Sequence, residues 1–252
     1  MAGRLGGKAA IITGAARGIG AEIARVFTEE GARVAIADVL DEPGRAVAAE
    51  CGGLYVHADI TVSEDVDALF RLTLAEYGGL DVLVNNAMYA VGDTTLADLD
   101  EGVWDRTIAV CLKGPFLCTR RALPMMRARG GGSIVTLSSV NALFGLGETA
   151  YTAAKGGLIS MMRLVAAEYG EWNIRSNLIC PGTIETDYCM NHWRRNPEAF
   201  RQLRAMYPLG RFGQPREVAQ LAAFLASPEA AFINGSVQVI DGGLLAGRKF
   251  EI

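Results

Sequence analysis

The chain has 252 residues, half of them hydrophobic and 21% charged, with a formal net charge of −4. This is enough apolar material for a sizeable core, too ordinary for a disordered or fibrous chain, and without the clustered Lys and Arg of a polyanion-binding surface, so no nucleic acid is expected as a partner. No run approaches the roughly 18 apolar residues of a membrane span; the opening "MAGRLGGKAAIITG" does not read as a signal peptide, and five scattered cysteines with two histidines suggest neither disulfides nor a metal site, so a soluble, cytoplasmic, metal-free protein is expected.

The first short apolar run, "AAIIT" (9–13), leads directly into "TGAARGIG" (13–20), which opens the helical pattern "GIGAEIARVFTEEG" (18–31). Gly14, Gly18 and Gly20 allow a tight turn and close approach of backbone to a pyrophosphate, and the helix N-terminus supplies N–H donors and positive dipole. The next run, "RVAIAD" (33–38), ends on Asp38. A carboxylate there can accept hydrogen bonds from both hydroxyls of an adenosine ribose and would repel a 2′-phosphate, which favours NAD over NADP. Arg17 in the loop is a cation that could tolerate such a phosphate.

Further runs follow at "LYVHAD" (54–59), "LDVLVNN" (80–86), "GSIVTLSS" (132–139), "IRSNLICPG" (174–182) and "SVQVID" (236–241). Their nearly continuous hydrophobicity indicates strands buried on both faces of a parallel sheet. Helical patterns separate them: "SEDVDALFRLTLAEYG" (63–78) has Ser63 as an expected N-cap and closes at Gly78. The locally basic "RRALPMMRAR" (120–129) reads as a solvated helix face. In "ETAYTAAKGG" (148–157), Tyr151 and Lys155 stand at i and i+4 and therefore share one helix face. Residues 187–213, "DYCMNHWRRNPEAFRQLRAMYPLGRFG", break the rhythm as a helical excursion of the kind that covers a substrate. The alternation predicts one α/β domain over 1–252, a Rossmann-like doubly wound fold of about seven parallel strands with helices on both faces.

With "TGAARGIG", Asp59 in "HADIT", "NNA" (85–87), "SS" (138–139), "YTAAK" (151–155), "PGTIET" (181–186) and "DGG" (241–243) in this order, the sequence resembles the short-chain dehydrogenase/reductase family over nearly its whole length. The resemblance implies hydride transfer between a nicotinamide cofactor and a secondary alcohol or ketone, with Tyr151 as general acid/base, Lys155 lowering the phenol's pKa and binding the nicotinamide ribose, and a serine polarising the substrate oxygen. Ser139 is chosen over Ser138 on strand register. The cofactor would be held by Gly14, Arg17, Gly18, Ile19, Gly20, Asp38, Asp59 and Ile60 on its adenosine side. Toward the nicotinamide, Asn86, Tyr151, Lys155, Pro181, Gly182, Ile184 and Thr186 are implied, with Asn85 bracing the sheet. Family members are commonly tetramers, and the wide apolar face of 150–170 fits a helix that also meets a partner subunit.

Two positions depart from the family. Met88 stands where a glycine follows "NNA", which would narrow the pocket mouth, and Cys111 stands where an asparagine usually holds a proton-relay water. A thiol cannot simply replace an amide. The relay is either rebuilt, with Asn141 supplying an amide, or dispensed with, or catalysis is lost and the chain is a cofactor-binding scaffold. An NADPH-dependent ketoreductase is a further alternative. Substrate candidates are Asn141, Glu148, Tyr188 and Trp193, with His192, Arg194 and Arg195 nearby. Glu148 favours a polyhydroxylated or cationic substrate and an arginine in the lid an anion, and the balance points to a small polar or sugar-like alcohol.

Overall fold

The computed structural model describes residues 3–193 and 196–247. Seven strands form one parallel sheet: β1 (Ala9–Thr13), β2 (Arg33–Asp38), β3 (Leu54–His57), β4 (Val82–Asn85), β5 (Gly132–Leu137), β6 (Ile174–Pro181) and β7 (Val237–Ile240). Their spatial order is β3-β2-β1-β4-β5-β6-β7. The order reverses between β1 and β4, registered as Ile12 opposite Val84, and this leaves a crevice at their carboxyl ends, the place where such sheets bind ligands.

Helices cover both faces because each buries an apolar stripe that water would otherwise hydrate. Helices α1 (Gly18–Glu29) and α2 (Asp41–Cys51) lie on one side. With residues 218–226 they bury Ile23, Phe27, Val47, Val218 and Leu225 against Ile12, Val34 and Val84. The opposite side is built from α3 (Ser63–Tyr77) and two long helical runs. There Leu69, Phe70, Leu117, Met126, Leu158 and Met162 pack on Ile11, Leu83 and Ile134.

The first long run comprises α4 (Glu101–Ile108), a π-helical turn at Ala109–Lys113 and α5 (Gly114–Ala128). The π turn has a local cause. Pro115 has no N–H to give the Cys111 carbonyl four residues earlier, and Gly114 N–H instead reaches the Ala109 carbonyl. Gly114 also permits close approach, since a Cβ there would lie 2.4 Å from Ile60 Cδ1. The second run is α6 (Thr149–Tyr169). The excursion holds α7 (Asp187–Trp193) and α8 (Pro197–Ala205), and α9 (Pro215–Ala226) returns the chain to the sheet.

Three local expectations are revised. Ser63 is the first helical residue of α3, after an N-cap at Val62, and makes no capping bond; Gly78 does end that helix in the left-handed conformation. Strands β3 and β4 stop short of their apolar runs, at His57 and Asn85. The edge strand β7 is only half buried, with Val239 45% exposed, so burial on both faces holds for the central strands alone.

Candidate active site

The glycine loop after β1 is shaped by its backbone. Gly14 and Gly18 have φ of 64° and 59°, left-handed values that glycine adopts without strain. A Cβ on Gly14 would sit 2.6 Å from Ala87 Cα, and one on Gly18 3.3 Å from Thr186 Cγ2. The cradle is therefore closed by the β4 and β6 loops. Asn86 pins it: its Nδ2 donates to the carbonyls of Thr13 and Gly14, both at 2.9 Å. Helix α1 begins after Arg17 with no side-chain cap, so its first-turn amides face the loop. Gly20 is buried there and Ile19 packs against the core beneath.

Asp38 ends β2 with its carboxylate turned to this loop, accepting Ala16 N–H at 2.9 Å and Leu40 N–H at 3.1 Å. A carboxylate has about four lone-pair sites, so two remain for a diol. Asp59 is already engaged, accepting from Thr61 Oγ1 at 2.7 Å and Arg106 Nη2 at 3.0 Å. Against the cost of burial, the Thr61 N–H at 2.9 Å, then these two bonds, hold its carboxyl below the usual range. Ile60 is buried against Gly114, which leaves its backbone as the part available to an adenine. Asn85 is a brace: its Nδ2 donates to Thr119 Oγ1 and Thr136 Oγ1 at 3.2 and 3.3 Å.

On α6, Tyr151 and Lys155 lie side by side, with Lys155 Nζ 5.3 Å from the phenol ring centroid. Lys155 is only 2% exposed and donates to the Leu137 carbonyl at 2.6 Å. The tandem serines point apart, as extended backbone demands. Ser138 Oγ donates to the Lys155 backbone carbonyl at 2.9 Å, which turns it into the helix. Ser139 turns the other way, toward Asn141. Ser139 Oγ accepts Asn141 N–H at 3.1 Å and contacts Asn141 Oδ1 at 3.2 Å, while Asn141 Nδ2 donates to the Gly147 carbonyl at 3.4 Å. Asn141 thus orients Ser139, and its hydrogen bonds run to Ser139 and Gly147 and not to Lys155.

Burial pushes the Tyr151 phenol up, Cys111 and Glu148 add to the rise, and the Ser139 hydroxyl opposes it. Burial pushes the Lys155 ammonium down. For both groups in the protein alone, desolvation is the largest influence. Glu148 is an exposed residue whose carboxyl is nevertheless crowded by protein, and burial and Asp93 hold its pKa above the ordinary value. Its backbone is left-handed, with φ 56°.

Cys111 is fully buried, and its Sγ takes both polar groups of Tyr89, accepting N–H at 3.2 Å and donating to the carbonyl at 3.3 Å. Its thiol is raised mainly by burial. Met88 is 43% exposed in the loop after β4. Across the crevice, Pro181 is buried, and Gly182 N–H donates to the Ile240 carbonyl at 3.0 Å. Ile184 is 6% exposed, and Thr186 stands over Gly18.

Sequence reasoning missed Tyr207. Its hydroxyl accepts Thr183 N–H at 2.7 Å and donates to Thr183 Oγ1 at 2.8 Å. Phe200, Tyr207 and Phe212 stack edge-on, with Tyr207 and Phe212 centroids 5.2 Å apart, and tie the excursion to the loop after β6. An aromatic before "PLGRFG" was the available signal. The side chains of Tyr188, His192 and Trp193, and all of Arg194 and Arg195, lie outside the described residues, as do residues 248–252 of the tail.

Residues 14–245 match the family model described as enoyl-(acyl carrier protein) reductase. The chain belongs to the short-chain dehydrogenase/reductase family. A trans-4-hydroxycyclohexanecarboxylate dehydrogenase of Sinomonas cyclohexanicum is 39% identical across 98% of this chain and 96% of that protein. The 3-oxoacyl-(acyl-carrier-protein) reductase FabG of Thermotoga maritima is 40% identical across 96% and 99%. The crystal structure of gox2181 superposes with a TM-score of 0.93 at 30% identity, covering 97% of this chain and 98% of that one. The protein is accordingly an oxidoreductase of a family that uses nicotinamide cofactors. No helix among the described residues is long and apolar enough to cross a membrane, and no metal-binding cluster occurs among them.

Proposed function

We propose that this short-chain dehydrogenase/reductase is an NAD-dependent enzyme that interconverts a small polar secondary alcohol and its ketone, with Tyr151 as general acid/base. The pairing of Tyr151 with a buried Lys155 on α6, with Ser139 just past the end of β5, carries the reading. The residues present fit the cofactor: the glycine cradle admits no side chain at Gly14, and Asp38 keeps acceptor capacity toward a ribose diol. Gly14 to Gly20 would hold the pyrophosphate, Asp38 the adenosine ribose, Asp59 and the Ile60 backbone the adenine. Asn86, Pro181, Gly182, Ile184 and Thr186 would line the nicotinamide end, and Lys155 would bind its ribose. NAD, when bound, would accept the hydride from the carbinol carbon and bring positive charge beside the phenol.

The chain's own residues would do the rest. Ser139 donates to the substrate oxygen as charge develops there. Tyr151 takes the hydroxyl proton while the C–H electron pair departs with the hydride, and the pair released from the O–H bond becomes the second bond of the C=O group. Lys155, held by Leu137, keeps positive charge near the phenolate once formed. Glu148 and Asn141 would meet the polar part of the substrate; the hydroxyl-bearing ring that names the Sinomonas relative is one candidate type.

The wider reading is a single domain with 187–213 as its lid, assembled as a homotetramer through the faces that expose Phe116 and Leu164, in the cytoplasm, where its cysteines stay reduced. The test is NADH formation, followed by absorbance, from NAD and a panel of sugars, hydroxy acids, diols and cyclic alcohols that includes 4-hydroxycyclohexanecarboxylates. Tyr151→Phe should lower turnover on the order of 10²- to 10⁴-fold. Turnover left intact by that change, or tighter binding of NADPH than of NADH, would refute the assignment concerned.

A further inference from the structure

The helix that carries Tyr151 and Lys155 is not capped from its own sequence. Its N-cap residue, Glu148, is left-handed and makes no side-chain cap. The first-turn donors are instead met from the loop after β4. Ala150 N–H donates to Asp93 Oδ1 at 3.2 Å and Tyr151 N–H to Asp93 Oδ2 at 2.7 Å. Thr149 N–H and Oγ1 both donate to the Thr94 carbonyl, at 3.3 and 2.8 Å. The same loop is fastened at two earlier points, at Asn86 to the glycine cradle and at Tyr89 to Cys111. Residues 86–94 thus form a strap from the cradle to the catalytic helix.

We propose that Asp93 is a positioning residue for the reaction: through its two-pronged hold on the backbone N–H groups of Ala150 and Tyr151, it sets where the phenol stands relative to Ser139 and the cradle. This rests on Tyr151 being the general acid/base. A carboxylate is suited to the task, because both oxygens accept and its charge meets the positive end of the α6 dipole. No hydrogen bond joins it to the Tyr151 phenol or to Ser139, so its hold on the site runs through the helix backbone. Within this scheme Cys111 is the middle fastening of the strap, which gives its thiol a use that an asparagine-type relay does not describe.

The test compares Asp93→Asn, which keeps one acceptor and turns an NH₂ toward the other amide, with Asp93→Ala, which keeps neither. Hydrogen exchange at residues 149–152 is measured together with NADH affinity by fluorescence and the kinetics of trans-4-hydroxycyclohexanecarboxylate oxidation. Exchange should quicken at least tenfold and kcat fall about 10- to 100-fold in Asp93→Ala, with an intermediate Asp93→Asn and NADH affinity held within about twofold. Unchanged exchange, an unchanged kcat, or kcat and NADH affinity falling together would overturn the proposal. If Asp93→Ala does not fold, Asp93→Asn decides by the same criteria. Tyr151→Phe is run in parallel: turnover surviving that change refutes the general-acid/base reading, whereas the exchange data judge the Asp93 cap by themselves.

Discussion

Replacing Gly14 with alanine tests whether the cradle is tight because of its backbone or because of what closes it, and Gly7 provides the control. Both residues have left-handed backbones, with φ of 64° and 74°. A Cβ at Gly7 meets nothing within 4 Å, so Gly7→Ala should cost only the conformational penalty, about 1–2 kcal/mol. At Gly14 the same methyl would stand 2.6 Å from Ala87 Cα and 3.0 Å from its nitrogen, against an ordinary contact of about 3.5–4 Å. One side must move by about 1 Å. Neither moves freely, because Asn86 clamps the Gly14 carbonyl and both neighbouring strands are central. Overpacking of this kind adds about 1–3 kcal/mol, for a total of about 2–5 kcal/mol. At about 2–4 °C per kcal/mol for a chain of this size, Gly14→Ala should lose several degrees more in Tm than Gly7→Ala. A cradle displaced by that amount should also weaken NADH binding at least tenfold, about 1.4 kcal/mol, while Gly7→Ala leaves it unchanged. Calorimetry and fluorescence titration of the pair read both. Equal losses in Tm with equal NADH affinity would show that Ala87 yields and that the cradle is not defined by its contact with the β4 loop.

Asp38→Ser removes one charge at a site where a 2′-phosphate would lie; at about 4 Å and intermediate screening, each charge pair is worth about 1–4 kcal/mol, so the ratio of NADPH to NADH affinity should rise at least tenfold in fluorescence titrations. Cys111→Ala leaves both polar groups of Tyr89 without their partner and should cost about 1–3 kcal/mol in urea denaturation, while Cys111→Ser, which keeps a donor and acceptor, should cost less. Glu217 is held down to about 2 by the Arg211 guanidinium and the Gln214 N–H. Its stabilisation is present above the ordinary carboxylate value of 4.5 and is lost as pH falls toward 2, because the unfolded chain takes up the proton first. For so exposed a pair the contribution is about 0.5–1 kcal/mol, and the Tm gap between the protein and Glu217→Gln should close below pH 4.5 in calorimetry. The Cys118 thiol, pushed up to about 12 by burial, should remain unlabelled by thiol reagents in the folded protein.

The parts of the site that could be read from the sequence are those fixed by local periodicity. A β-strand that ends where a glycine loop begins, an acid at the next strand end, and a tyrosine four residues before a lysine all follow from spacing within a few turns of chain, and each stands where expected. Two-residue alternation turns the tandem serines apart, sending Ser138 into α6 and Ser139 to Asn141. What escaped was long-range or energetic. Ser63 has the composition of a cap but sits one residue inside its helix. The cap of α6 comes from Asp93, 58 residues before Tyr151, and nothing in "VGDTT" marks it, because a carboxylate that caps another segment looks like any loop aspartate.

The electrostatic balance escaped for a related reason. Spacing shows that a charge is near a phenol, but the net shift depends on how much water both have lost, and here burial raises the tyrosine and lowers the lysine together. The two shifts have one origin and one remedy. A buried phenol resists becoming an anion and a buried ammonium resists remaining a cation, so each group's unfavourable charge is most easily relieved by the other's. Positive charge added beside Tyr151 favours its ionisation, and the phenolate so formed stabilises the protonated Lys155. Charge brought beside one member of such a pair therefore shifts the balance of both.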